Sequence, residues 1–118
     1  MQRVLEKIDD PKLEVLVVWI PAIRGDSYEA SLQSRSLISD SRARHYWDGS
    51  QALGNAVATE IETNMNMAWD VYLAFDGTAK WGATPPKPVE WLHQKGTEDP
   101  DRRMDEASLE ALLRQVLE

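Results

Sequence analysis

The sequence predicts one α/β domain in which short strands alternate with helices, and three observations predict it. Four runs of strand length are present: Val15–Ile20 (VLVVWI), Ala43–Trp47 (ARHYW), Trp69–Phe75 (WDVYLAF) and Thr78–Gly82 (TAKWG). Helical patterns separate the first from the second, separate the second from the third, and follow the fourth. The chain has 118 residues, 42% of them hydrophobic and 28% charged, enough for one core without staples.

Each element has a local cause. Residues 2–9 put Val4, Leu5 and Ile8 on one side of a short helix that must stop before Pro11. VLVVWI is continuously apolar rather than alternating, which predicts a strand covered on both faces and ended by Pro21. Asp26, with Glu29 three residues on, predicts a capping box that opens a helix over about 27–38. That helix has only a ragged apolar stripe of Tyr28, Leu32 and Leu37. ARHYW follows, and Asp48 with Gln51 repeats the cap spacing. Leu53, Val57 and Ile61 then recur every fourth position, and Gly54 among them predicts close packing of helix on sheet. Asn64 is the expected left-handed stop.

In WDVYLAF, Trp69, Val71, Leu73 and Phe75 share one face, and Ala68, Asp70, Tyr72 and Ala74 the other. Asp76-Gly77 is a tight-turn signal, so TAKWG is expected to return antiparallel as a hairpin. Pro85, Pro86 and Pro88 stiffen the next segment, one helical turn is expected at 89–94, and GTEDPDRR reads as exposed. The clearest helix is Ser108–Leu117, where Leu109, Leu112, Leu113, Val116 and Leu117 follow the i, i+3, i+4, i+7, i+8 rule.

Composition excludes several chemistries. There is no cysteine, hence no disulfide, thiolate metal site or cysteine nucleophile in this chain. A net charge of −7 argues against nucleic acid as a partner. The basic cluster Arg35, Arg42 and Arg44 reads instead as charge guarding a solvated edge strand. The longest apolar run, 15–23, is broken by Pro21 and falls short of the roughly 20 residues of a bilayer span, so no membrane is expected as partner. With no apolar stretch behind a basic start, the expected location is cytoplasmic. No glycine-rich phosphate loop, nucleophile elbow or H-E-x-x-H motif occurs.

The order β-α-β-α-β-β-α, with VLVVWIP as first strand and SLEALLRQVL as closing helix, resembles the thioredoxin fold from about Val4 to Leu117. More closely, WIP…GD, HYWD, AWDVYL and WG…PP…W.HQ resemble a group of uncharacterised bacterial thioredoxin-like proteins. The resemblance implies a thioredoxin-like domain over residues 1–118: a four-stranded mixed sheet of order 2-1-3-4 with helices on both faces. It also places Ile23-Arg24-Gly25-Asp26 where thioredoxins carry C-x-x-C. An apolar side chain and a carboxylate stand at the two cysteine positions, so thiol–disulfide exchange is excluded. No proline lies between Asn64 and Ala68, where the fold usually has one.

That sheet order makes a spatial prediction. Trp19 and Trp47 end the first two strands, Trp69 begins the third, Trp81 lies near the end of the fourth, and the loop with Trp91 and His93 leaves from the same rim. Arg24, His45, Asp48, Asp70 and His93 would be the few polar groups of an aromatic cleft beyond the strand ends, where open α/β sheets bind ligands. Tryptophans packed as ordinary core are the competing reading. His45, Asp48 and His93 are metal-ligating types, but three residues apart in an extended segment His45 and Asp48 face opposite ways, and no metal or other cofactor is expected. Asp70, if buried, would be available for acid–base work, with a structural partner as the alternative. The expected function is non-catalytic: a binding or interaction module for an unknown protein, a peptide or a small apolar molecule. Two alternatives remain open, a small acid–base enzyme using Asp70 or His45, and a structural homodimer packed through Trp81, Trp91 or the TAKWG edge.

Overall fold

The structure, a computed structural model, describes residues 1–23, 25–61, 66–94 and 99–118. Its elements in order are α1 (Gln2–Lys7), β1 (Val15–Trp19), α2 (Tyr28–Ser34), β2 (Ala43–Trp47), α3 (Ala52–Glu60), β3 (Val71–Ala74), β4 (Glu90–His93) and α4 (Glu106–Leu117). Single 3₁₀ turns lie at Arg35–Leu37 and Pro100–Arg102. The fold is a mixed α/β globule with two small sheets rather than one continuous ladder. β1 and β2 pair in parallel, from Val15 opposite Ala43 to Trp19 opposite Trp47. β3 and β4 pair antiparallel, from Val71 opposite His93 to Ala74 opposite Glu90.

The main core lies where α1 and α4 meet both sheets. Val4, Leu5 and Ile8 from the first helical segment pack with Leu109, Leu112 and Leu113 of α4, and with Val15, Ala74 and Leu92 from the strands. A second cluster forms under α3 from Val57, Ala58, Ile61, Ala68 and Trp91. The β3–β4 pair is thus covered on both faces. Tyr72, Ala74 and Leu92 turn to α1 and α4, whereas Val71, Leu73 and Trp91 turn to α3. The β1–β2 pair is covered on one face only. Val15, Val17 and Ala43 reach the main core, while Leu16 is 51% and Tyr46 47% exposed on the other face. The run VLVVWI is therefore not buried on both sides, because no helix among the described residues crosses above Leu16 and Tyr46 to complete the second layer.

The fourth strand is the largest departure from the sequence reading. Thr78–Gly82 forms no strand, and residues 89–94 hold one instead of a helical turn. The Asp76 carboxylate accepts the backbone N–H of Thr78, and Ala79 N–H donates to Asp76 C=O, so the turn closes on itself instead of launching a return strand. Pairing resumes after the prolines, where Val89 N–H donates to Ala74 C=O at 2.8 Å. EWLH has buried side chains on both faces, Trp91 and His93 on one and Leu92 on the other, which favours a two-sided strand over an amphipathic helix.

The helix starts also differ in detail. Ser27, not Asp26, caps α2 through Ala30 N–H at 3.1 Å. Asp26 instead accepts the N–H groups of Ala22 (2.8 Å) and Ile23 (2.9 Å), which lowers its pKa. Gln51 occupies the cap position of α3 in a left-handed conformation, with Asp48 accepting Gly54 N–H at 3.0 Å from further back. α4 starts at Glu106, two residues before the expected Ser108, capped by Asp105 through Ser108 N–H. Asn64 lies outside the described residues.

Arg42 turns inward. All five of its N–H donors are used: Nε and Nη2 hold the two Asp40 oxygens, Nη1 bonds the carbonyls of Ile8 and Asp10, and Nη2 also bonds that of Leu5. It closes the C-terminal end of α1 and is no part of a solvated basic patch. No helix among the described residues is long and apolar enough to cross a membrane.

Candidate functional site

The carboxyl ends of β1 and β2 meet the amino end of α3 and the entry to β3 at Gly54. A methyl group built there would stand 2.5 Å from Ile20 Cδ1, 2.7 Å from Met67 Cγ and 3.2 Å from Ala68 C=O. Gly54 N–H is the one held by Asp48, and Asp48 N–H donates to Trp19 C=O at 2.8 Å. The absent side chain lets three segments converge, so Trp19, Trp47, Asp48, Trp69 and Asp70 all belong to this end of the molecule.

Trp19 and Trp47 are register partners, so their indoles leave the same face side by side. Trp19 and His45 lie edge to edge and nearly coplanar, with planes 9° apart and centroids 6.1 Å apart, and Trp19 Nε1–H donates to His45 Nδ1 at 3.0 Å. His45 Nε2 lies 3.0 Å from the carbonyl of Ile38, which only accepts, so the ring is held as the Nε2–H tautomer with both nitrogens engaged. Neither nitrogen is left to take a proton from a substrate. Trp47 meets Tyr28 edge-on at 6.2 Å. A methyl group on Gly49 would stand 2.7 Å from Trp47 Nε1, so the turn after β2 is the bed on which this indole lies. Ile23, 62% exposed, sits in the loop after β1 that Asp26 ties down. The arrangement is an apolar shelf of Trp19, Trp47 and Tyr28 on a hydrogen-bonded base.

The remaining candidates are distributed differently. Asp70 is exposed and adopts a left-handed conformation, which aspartate tolerates better than bulky residues and which turns it off the strand face expected for it. It is not the buried carboxylate that acid–base work would have used. Its charge, second to burial, raises the pKa of Tyr72, whose hydroxyl donates to Gln94 Oε1 at 2.7 Å. Trp69 is half-buried just before β3. Trp81 packs edge-on against Phe75 at 5.5 Å, and Phe75 follows the opposite end of β3, so Trp81 is away from the shelf.

Trp91 is buried under Arg102, whose guanidinium lies 4.8 Å above the ring and pairs with Glu90. It cannot serve as an exposed dimer contact. His93, fully buried, places Nε2 2.6 Å from the carbonyl of Asp99. Arg24 lies outside the described residues. Among the described residues no three histidine, aspartate or glutamate side chains converge as a metal site. A depression of about 210 Å³ beside Trp91 is lined by Glu60, Lys87, Glu90 and Arg102 among others, and of these Glu90 and Arg102 pair with one another.

Tyr28 is a member of the shelf that sequence reasoning does not single out. Tyr28 falls in the ragged stripe of α2, and the available signal is that this stripe lacks the spacing to be core. Comparison with family models, with curated proteins and with solved structures finds no match to this chain.

Proposed function

We propose that this chain is a non-redox, thioredoxin-like binding module that receives an apolar peptide or small apolar ligand on the Trp19–Trp47 shelf. The observation that carries the reading is the pairing of two indoles in register at the carboxyl ends of parallel strands, the place where open α/β sheets recruit ligands. Trp47 and Tyr28 supply rigid apolar area, and their exposed edges cost little conformational entropy to order. The thioredoxin-like part of the reading draws its support from the element order and from the two strand pairings present. Parallel β1–β2 and antiparallel β3–β4 are the outer pairings of a 2-1-3-4 sheet. The absence of cysteine leaves binding rather than disulfide exchange. Acid–base catalysis is the weaker reading, since both His45 nitrogens are engaged and Asp70 is exposed.

The test uses the environment-sensitive dye 1-anilinonaphthalene-8-sulfonate and a panel of short peptides rich in leucine and phenylalanine. Dye emission with energy transfer from tryptophan should appear with the wild type. Trp47→Ala should weaken binding by about 30-fold, the scale of a central aromatic anchor. Trp81→Ala, at the other end of β3, should leave it unchanged. Equal binding by the Trp47→Ala and wild-type proteins, with far-ultraviolet circular dichroism matching, would remove the shelf as the site.

A further inference from the structure

The outer edge of β2 carries a pattern that fits a second copy of the same edge. Val15 N–H donates to Arg42 C=O and Asp48 N–H donates to Trp19 C=O, and these bracket the parallel ladder. Arg42, Arg44, Tyr46 and Asp48 therefore point their backbone groups at β1, while Ala43, His45 and Trp47 point theirs away. No strand among the described residues pairs with that outward edge. The edge has no proline and no lysine, it is five residues long, and its one exposed charge is Arg44.

We infer that two copies of this chain pair through β2, antiparallel and with the twofold axis at His45. In that register His45 of each copy donates its N–H to His45 C=O of the other. Trp47 N–H donates to Ala43 C=O of the second copy, and reciprocally. Ala43 N–H is already committed to Asp40 C=O at 3.0 Å, so each Ala43–Trp47 pair is joined by this one bond rather than two, and the ladder carries four bonds in all. The side chains agree with the backbone. On the inner face the smallest residue of the strand, Ala43, comes opposite the largest, Trp47. On the outer face Arg44 comes opposite Tyr46 of the second copy, in the non-hydrogen-bonded position where side chains approach most closely. Arg44 and Tyr46 are both exposed, and among the described residues neither side chain makes a hydrogen bond, ion pair or ring contact within its own chain. The twofold axis repeats this cation-over-ring pair. Arg44, taken alone, guards the edge, but set against Tyr46 it selects this one register. A one-residue slip would part Arg44 from Tyr46, and a two-residue slip would bring Arg44 against Arg44 in one direction and Tyr46 against Tyr46, with the cation left out, in the other.

The occupant is a second copy rather than another protein because the complementarity is palindromic about His45. The joined strands form a continuous β1-β2-β2-β1 sheet, closed by the twofold.

Sedimentation velocity on the full chain at submillimolar concentration tests the inference. The wild type should sediment as a dimer, at twice the 13.4 kDa of one chain. Tyr46→Arg opposes two arginines and should weaken association by about tenfold or more. The double swap Arg44→Tyr with Tyr46→Arg recreates the pair with its members exchanged and should restore the dimer. Arg44→Glu, which disturbs no contact among the described residues, is the second single variant and should also weaken association. A monomeric wild type overturns the inference. So does a dimer that the folded Tyr46→Arg and Arg44→Glu variants leave intact, or a folded double swap that stays monomeric.

Discussion

Removing the Arg42 guanidinium perturbs the molecule more than any exposed charge should, and the structure gives the magnitude. Arg42 and Asp40 retain only 18% and 13% of their side-chain exposure. The guanidinium bonds both Asp40 oxygens at 2.9 Å and the carbonyls of Leu5 (2.8 Å), Ile8 (2.6 Å) and Asp10 (3.1 Å). Arg42→Met keeps the apolar stem but orphans these groups and leaves a poorly solvated carboxylate. Breaking one partner of a buried pair costs about 3–5 kcal/mol, and the residual exposure here places the expected loss near 3 kcal/mol. That is a large share of the roughly 5–15 kcal/mol by which domains are stable. Arg42→Lys should recover less than half, because a point ammonium cannot span a carboxylate and three carbonyls at once.

The pH dependence supplies a second, independent reading. The Arg42 side-chain hydrogen bonds hold Asp40 well below the usual carboxylate range, at about 2. A pKa depressed in the folded state contributes stability that is complete above the unfolded value, near 4, and is lost as pH falls through about 2. The gap between wild type and Arg42→Met, measured by urea unfolding with tryptophan fluorescence, should therefore narrow by about 1.5 kcal/mol between pH 7 and pH 2.5. A loss under about 1 kcal/mol at pH 7, or a gap independent of pH, would refute the clamp.

Other expectations rest on single contacts. Gly54→Ala should destabilise by about 1–3 kcal/mol despite a helix-propensity gain near 1 kcal/mol, since the new methyl meets Ile20 and Met67 below 3.0 Å; calorimetry reads the sign. Gly49→Ala should displace the Trp47 indole, shifting tryptophan emission and weakening dye binding while thermal stability changes little. Ser27→Ala should cost about 1 kcal/mol in chemical unfolding through the lost α2 cap. Long-range ¹H–¹⁵N spectra should report His45 as the neutral Nε2–H tautomer, and the opposite tautomer would contradict the Trp19 hydrogen bond.

Much of the fold is legible in the sequence because its causes are local. Ala43–Trp47 is a strand with the expected bounds, and Leu109, Leu112 and Leu113 are buried as their spacing requires. Gly54 is where helix and strand ends close upon one another. The fourth strand is not legible. TAKWG carries a strand-like pattern after a strong turn signal, but Asp76 folds its own carboxylate back on Thr78, and the pairing partner of β3 lies beyond three prolines. At the site, Trp19, Trp47 and Asp48 follow from strand ends, which local pattern can locate. Trp81 does not, because its placement depends on which segment pairs with β3. Asp70 escapes the alternation because its left-handed backbone breaks the strand pattern there, and Ala68 before it packs with Val71 and Leu73 rather than with Tyr72 and Ala74.

What the sequence determined by itself is the chemistry this chain lacks and the places where its chain can be helical or extended, since residue types and periodicity carry both. Only the tertiary structure decided which strand is β4, that Arg42 serves α1 rather than a basic surface, and that Leu16 and Tyr46 stand exposed on their face of the sheet. Those are questions of which distant segments meet. Hydrogen-bond partners and layer coverage are settled by competition among many apolar faces for the same few positions, and no window of neighbouring residues contains that competition.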